Sequence, residues 1–243
     1  MIKRILIAIL CCMALAYVFF SVSWLCNPLK EAPLVHPHCV FPDSAQLNLM
    51  SSEDVLELLK DSLLLTDSTT LHTVDMQLIE TTLVRNPLIK EAMCYHATNG
   101  DLFVEVYQRH PLFRVMTHTG DSYFVDTNCD SVPTMGKAVS LPLVTGYVTK
   151  EMIDCQLYAM MRWIAANDFW ASQIEQIDVM ENGALQIIPR VGDHIIDFGF
   201  ADEFEEKFVR LKKFYTFVLN KVGWNKYSRI SLDINNQIVC KIK

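Results

Sequence analysis

The sequence has few glycines, and those it has lie far apart. Its 243 residues include 8 glycines, and the closest two, Gly192 and Gly199, are seven positions apart. This spacing excludes the G-x-G-x-x-G dinucleotide fingerprint, the P-loop and the G-x-S-x-G nucleophile elbow, all of which need glycines closer together. With only 9 prolines as well, the chain is neither collagen-like nor of low complexity.

Positive charge and paired metal ligands are also scarce. Lysine and arginine number 21 against 28 aspartates and glutamates, so the net charge is −7. A nucleic-acid-binding surface needs an excess of cations, and this balance does not favour one. The sequence contains no H-E-x-x-H and no C-x-x-C, which are the spacings of zinc proteases and thioredoxin-like redox sites.

His36, His38 and Cys39 form the one group with metal-like spacing. A structural zinc site takes four ligands, and no second pair at zinc spacing accompanies this group. We therefore interpret the three residues as part of a polar linker. Since no other spacing indicates an acid–base or nucleophile–base pair, the sequence predicts no catalytic, cofactor-binding or metal-binding residues and no cofactor.

The one long apolar run lies at the start of the chain. Residues Ile5 to Leu25 contain no charged side chain, and Lys3 and Arg4 precede them. A helix of about 20 residues spans the hydrocarbon core of a bilayer, and basic residues stay on the cytoplasmic side. The run is longer than the apolar region of a signal peptide. We predict a cytoplasmic tip (1–4), an uncleaved transmembrane helix (5–25), and a linker (26–38) leading to an exported remainder.

Five cysteines lie in the predicted exported part: Cys39, Cys94, Cys129, Cys155 and Cys240. An odd number cannot all pair within one chain, and an oxidising compartment permits a bridge. We take Cys39 with Cys94 as a hypothetical disulfide, because both fall in the first exported domain.

Periodicity and turn residues divide the exported part near residues 108–111, at Gln108-Arg109-His110-Pro111. The segment before this point predicts the order β-α-α-β-β: a strand at 39–42, a helix from Ser51, a helix over Val74–Val84, and strands over Leu88–Tyr95 and Leu102–Tyr107. Asn99-Gly100-Asp101 is typical of a hairpin turn between the last two strands.

The segment after the boundary predicts a long mixed or antiparallel sheet with two helices. The helices span about 150–167 and 202–219, and Gly223 ends the second. Two final strands, Arg229–Ile234 and Gln237–Ile242, flank Asn235-Asn236, and Ile230, Leu232 and Ile234 fall on one face. The fold class is therefore α+β behind a single N-terminal membrane helix.

Several segments, in this order, resemble the FtsQ (DivIB) family of bacterial cell division proteins. The matching patterns are E-x-x-L-x-x-N-P-x-I-x-x-A at 80–92, R-x-P at 109–111, G-x-x-Y-x-I-D at 120–126 (with Val125 in place of isoleucine), L-P-x-V-T-G at 141–146, and the stretch 222–240. The turn after Asp126 departs from the family, because Cys129 stands where a glycine is usual. The resemblance implies a POTRA domain over 39–110 and the family's β domain over 111–243.

The resemblance also implies a function. Proteins of this family are non-enzymatic scaffolds of the inner-membrane division machinery at the septum. They recruit two small single-pass coiled-coil proteins, FtsB and FtsL, and help to control septal peptidoglycan synthesis. Such partners can bind by adding a strand to an exposed sheet edge, and the C-terminal strands are then the indicated site. The implied partner-binding residues are Arg229, Ile230, Ser231, Leu232, Asp233, Ile234, Gln237 and Val239.

Three alternatives stay open at the level of the sequence. The edge strand of the POTRA domain, near Leu88–Tyr95, is a second candidate surface for other division proteins. A POTRA-bearing scaffold of another envelope assembly or secretion complex would share the same domain order. A membrane-anchored periplasmic enzyme would need a pocket of converging titratable groups, which sequence spacing does not reveal.

Overall fold

The computed structural model describes residues 12–22, 37–42, 49–65, 74–97, 101–234 and 236–243. By chain contacts it divides into two units, 1–108 and 109–243. Residues 12–22 are helical. Within the described ranges, no helix combines the length and the apolar character needed to cross a membrane. The predicted tip, both ends of the predicted membrane helix and most of the linker lie outside the described residues.

The first unit contains a three-stranded sheet and two helices in the predicted order β-α-α-β-β. The elements are β1 (Pro37–Val40), α1 (Ser52–Asp61), α2 (Met76–Val84), β2 (Ile89–His96) and β3 (Leu102–Gln108). The strand order is β1-β3-β2, with β1 parallel and β2 antiparallel to β3. The predicted Asn99-Gly100 part of the β2–β3 turn lies outside the described residues.

Local polar side chains explain where the two helices begin. Ser51 and Asp54 form a reciprocal capping box, in which the Asp54 N–H donates to Ser51 Oγ at 3.2 Å and the Ser51 N–H donates to Asp54 Oδ2 at 2.9 Å. Asp75 caps α2 by accepting from the Leu78 N–H. The predicted period-two burial of β3 is confirmed, since Leu102, Val104 and Val106 are fully buried.

The second unit is built on one nine-stranded mixed sheet. Its strands are β4 (Pro111–Thr117), β5 (Ser122–Asp126), β6 (Ser131–Pro133), β7 (Leu143–Gly146), β8 (Ile174–Val179), β9 (Leu185–Pro189), β10 (Ile195–Gly199), β11 (Tyr227–Ser231) and β12 (Val239–Ile242). Their spatial order is β12-β11-β10-β9-β8-β7-β4-β5-β6. The α+β class predicted from the sequence is therefore confirmed for the described domains.

Two interrupted helical segments pack on this sheet. The first runs through α3 (Lys150–Met152), a π-helical turn (Ile153–Leu157) and α4 (Tyr158–Ala165), followed by α5 (Asp168–Gln173). The second runs through α6 (Phe204–Phe214), a π-helical turn (Tyr215–Leu219) and α7 (Asn220–Val222). Their buried faces share one core with the sheet, including Met160, Ile164, Trp170, Phe208 and Leu211.

The sequence pattern located both helical segments but missed their interruptions. Each π-helical turn covers only five residues, which is too short a stretch for apolar spacing to reveal its i→i+5 bonding. The sequence pattern also missed α5. This helix begins separately from α4 because Asn167 Oδ1 accepts from the Trp170 N–H at 3.4 Å and caps it. Gly223, with φ of 95°, ends α7 as predicted.

Cys129 adopts a backbone conformation that favours glycine. Its φ is 67°, in the left-handed region, at the position where the related family carries glycine. The neighbouring buried Asp126 holds the turn, because its Oδ1 accepts from the N–H groups of Asn128 and Asp130 at 2.8 and 2.9 Å. Arg109 donates to Asp126 Oδ2 at 2.8 Å and completes this support.

We expect Cys129→Gly to be more stable than Cys129→Ala by about 1 kcal/mol, since only glycine adopts this φ without a Cβ penalty. Both variants lose the same contact between Cys129 Sγ and Asp154 Oδ1, which lie 3.9 Å apart, so the difference between the variants reports the backbone strain. Urea unfolding of the two variants measures it, and equal midpoints would show that the turn carries no strain.

His194 is a buried titratable group at the start of β10. Its side chain lies between Tyr215 and Trp224, and Nε2 is 3.0 Å from the Tyr215 hydroxyl. The residue is 3% exposed. Burial lowers the pKa of His194 from its ordinary value of 6.5, the Trp224 carbonyl and the Asp193 charge oppose this shift, and Lys243 adds to it.

Because the folded protein keeps His194 neutral, its stability should fall as pH drops below the unfolded pKa of about 6.5. We expect the loss between pH 7.5 and 5.5 to be smaller in His194→Gln, measured by urea unfolding through tryptophan fluorescence. His118→Gln is the control, because His118 is exposed. An unchanged pH dependence in His194→Gln would contradict this assignment.

Candidate partner-binding edge

The nine-stranded sheet ends at β12, and this places the open edge one strand beyond most of the predicted site. β11 lies between β10 and β12. Its residues Arg229 and Ser231 pair with Lys241 and Val239 on one side, and with Ile195 and Asp197 on the other. A strand paired on both sides has no backbone groups left for an incoming peptide. Backbone pairing therefore identifies β12 as the strand whose outer side is open to hydrogen bonding by an incoming strand.

The backbone groups of β12 alternate between β11 and the open side. The Lys243 N–H donates to the Lys226 carbonyl at 3.2 Å, and a β-bulge lies between Tyr227 and Arg229. Alternate residues of an antiparallel strand direct both polar groups to the same neighbour, so Val239 and Lys241 face β11. The N–H and C=O groups of Cys240 and Ile242 consequently point to the open edge.

The side chains of β12 leave this edge accessible. Val239 is 50% exposed and Ile242 is 64% exposed, whereas Cys240 packs partly against the core opposite buried Ile230. Lys241 and Lys243 are also exposed. An exposed edge carrying lysines is typical of natural sheets that must avoid uncontrolled self-association.

The other predicted site residues have different positions. Leu232 is fully buried and its N–H donates to the Asp197 carbonyl at 2.9 Å. Ile234 does not share the buried face of Ile230 as its alternation predicted, because β11 ends at Ser231 and Ile234 is 52% exposed. Gln237 lies in the turn and its N–H donates to the Ile234 carbonyl.

Two predicted residues line a polar cleft. Ser231 and Asp233 border a space of about 690 Å³ that Glu181, Asn182 and Gln186 also line. Of the eight predicted residues, only Val239 therefore belongs to the edge strand itself. The sequence pattern missed Cys240, Lys241 and Ile242, because periodicity shows which side chains are buried and not which strand is outermost.

A polar row runs along one face of the sheet toward this edge. Thr145, Asp178, Gln186, Asp197 and Ser231 occupy one register across five neighbouring strands. Gln186 Nε2 donates to Asp197 Oδ1 at 3.0 Å, and Thr145 Oγ1 donates to Asp178 Oδ1 at 2.5 Å. Two pairs in the row are therefore hydrogen-bonded to each other, and the opposite positions of the same strands are left for the apolar core.

Arg229 anchors β11 to β10 through this row. Its Nε donates to Asp197 Oδ2 at 2.8 Å and its Nη2 donates to Oδ1. Hydrogen bonding to Asp197 raises the pKa of the Arg229 guanidinium. The predicted binding residue Arg229 thus already has a bidentate carboxylate partner within its own sheet.

Two of the three other edges in the described sheets have features that hinder strand addition. At the far end of the nine-stranded sheet, β6 has three residues and ends at Pro133, which has no N–H to donate. In the first unit, the Cys94 N–H on the outer side of β2 donates to Glu80 Oε1 at 2.7 Å. Glu80 of α2 therefore occupies one outward donor of the strand near Leu88–Tyr95 that was the second candidate surface.

The structure does not contain the hypothetical bridge between Cys39 and Cys94, and both residues are free thiols. Both pair with Val104 from opposite sides of β3. Two strand spacings separate their backbones by about 9–10 Å, beyond the roughly 7 Å limit for a disulfide. Burial raises the pKa of Cys39 to about 11, and Glu53 adds to this shift. Burial raises the pKa of Cys94 to about 12, with smaller contributions from Glu80 and Cys39. Both thiols therefore stay protonated.

We expect Cys39 and Cys94 to be reduced in the purified chain. Denaturation and alkylation, with and without prior reductant, followed by mass spectrometry of the two peptides, should give equal labelling. Labelling of these two peptides only after reduction would restore the disulfide hypothesis and require β1 or β2 to leave β3.

Within the described residues, no group of three or more His, Cys, Asp or Glu side chains is placed to hold a metal ion. His38 lies on β1 and its ring stacks on Phe103, with ring centroids 5.2 Å apart. Cys39 follows it on the same strand, and His36 lies outside the described residues.

Comparison with known families identifies both units. A family model described as FtsQ/DivIB, C-terminal related, matches residues 110–241, and a POTRA-like domain model matches residues 38–107. No curated protein matches the chain. Since the first model covers more than half of the sequence, the chain belongs to the FtsQ/DivIB family. This family and the POTRA-like domains are non-catalytic scaffold types, and the FtsQ/DivIB family is one of cell division proteins.

Proposed function

We propose that this protein is a divisome scaffold that recruits small FtsB-like and FtsL-like coiled-coil membrane proteins by strand addition at β12. The observation that supports this most directly is the open side of β12, where the alternation of the ladder directs the backbone groups of Cys240 and Ile242 away from every described strand. An incoming strand gains main-chain hydrogen bonds there, and alternate side-chain contacts give selectivity. Through these partners the protein helps to control septal peptidoglycan synthesis.

We further propose that the chain is a single-pass protein of the cell inner membrane at the division septum. In this arrangement residues 1–4 are cytoplasmic, residues 5–25 cross the membrane and residues 26–38 form a linker. The POTRA domain (39–110) and the β domain (111–243) are then periplasmic. The apolar run after Lys3 and Arg4 supports this orientation, and the ranges matched by the two family models support the domain limits.

The test replaces one outward donor of β12. Ile242→Pro removes an N–H that points to the open edge and leaves the hydrogen bonds between β12 and β11 intact. We expect the full chain carrying Ile242→Pro, purified from its own membranes, to capture at least tenfold less of its small coiled-coil partners than the wild type. Ile242→Ala is the matched control, because it shortens the same side chain and keeps the donor.

Three outcomes would count against the proposal. Equal capture by the folded Ile242→Pro variant would exclude β12 as the docking strand. Equal losses in both variants would assign binding to the Ile242 side chain instead of the backbone. Recovery of only barrel-assembly or secretion proteins by the wild type would favour a scaffold of another envelope complex.

A further inference from the structure

The connection between β11 and β12 leaves carbonyl groups that the sheet cannot satisfy. Pairing of the two strands ends at Ser231 and Val239, and the chain then continues through buried Leu232 to exposed Ile234. The Leu232 N–H is satisfied by the Asp197 carbonyl. The Leu232 carbonyl lies beyond the ladder, and the Ile234 carbonyl accepts from the Gln237 N–H at 3.2 Å with one of its lone pairs, so both carbonyls can take a partner from another element.

Arg210 of α6 supplies both partners. Its Nη1 donates to the Ile234 carbonyl at 3.1 Å, and its Nη2 donates to the Leu232 carbonyl at 3.2 Å. The two acceptors are two residues apart on one extended segment, which suits the fixed fork of a guanidinium. A lysine amine, as a single point charge on a flexible stem, could not hold both carbonyls in one geometry.

The position of Arg210 is itself determined by the core. Its neighbours Phe208 and Leu211 are fully buried against the sheet, so α6 cannot shift without disturbing that packing. The Arg210 side chain is half-buried, its Nε is buried without a hydrogen-bond partner, and no described carboxylate forms an ion pair with it. Its described polar contacts are therefore the two connection carbonyls.

We propose that Arg210 is a positioning residue that sets the β11–β12 connection and thereby holds β12 in register as the sheet edge. Core packing fixes the position of α6, and α6 in turn fixes the position of the Arg210 guanidinium. The guanidinium then holds the chain where it reverses direction toward Val239. The consequence for partner capture rests on the proposed function, whereas the structural effect on β12 does not.

The experiment is amide hydrogen exchange of the full chain in nanodiscs, for wild type, Arg210→Met, Arg210→Lys and Lys213→Met. We expect Arg210→Met to speed exchange of the Val239 and Lys241 amides roughly tenfold, because two hydrogen bonds that close the hairpin are lost. The β8 amides of Ile177 and Val179 should stay unchanged. Arg210→Lys should fall between wild type and Arg210→Met.

Lys213→Met is the matched control, since Lys213 is an exposed cation one turn further along the same helix. Exchange at Val239 and Lys241 should not change in this variant. Unchanged exchange there in folded Arg210→Met would overturn the positioning role. A uniform increase over the whole sheet would also overturn it, because Arg210 would then support general stability only.

Partner capture by the same variants separates this inference from the proposed function. Faster exchange of β12 together with weaker capture by Arg210→Met supports both. Faster exchange of β12 with wild-type capture supports the positioning role and contradicts strand addition at β12.

Discussion

Backbone hydrogen bonding is the constraint on which the functional surface depends. Each N–H and C=O in a sheet needs a partner, and the nine-stranded ladder satisfies them on both sides of every interior strand. Among the strands that the structure describes in this sheet, the sides without a neighbour are therefore those of β6 and β12 at its two ends. Pro133 removes a donor at the first end, so the ladder is most open to an added strand at Cys240 and Ile242.

The C-terminal strands are held from the side of the helices as well as within the sheet. The core residues Phe208, Leu211 and Tyr215 fix the second helical segment, and Arg210 extends from it to the chain after β11. At the other end of β12, Lys243 Nζ donates to Asp193 Oδ2 at 2.5 Å. An edge strand of four residues has little stability of its own, so these side contacts matter for its order.

Much of the fold could be predicted because local patterns and tertiary packing agree. The Ser51 capping box and the alternation along Leu102–Tyr107 each depend on residues close in sequence. The features that were missed depend on contacts between distant residues. Pairing of β11 with β12 stops at Ser231, and Arg210 of a distant helix donates to the Leu232 and Ile234 carbonyls that follow. Cys39 and Cys94 stay apart because β3 lies between their strands.

The sequence by itself determined the class of the domains, the order of their elements and the C-terminal region as the candidate surface. These features follow from periodicity, turn residues and ordered motifs along one chain. Only the tertiary structure decided that β12 is outermost, that Arg229 is already paired with Asp197, and that Glu80 occupies a donor of β2. Strand order and side-chain pairing join residues far apart in sequence, and no local pattern records which strand is left without a neighbour.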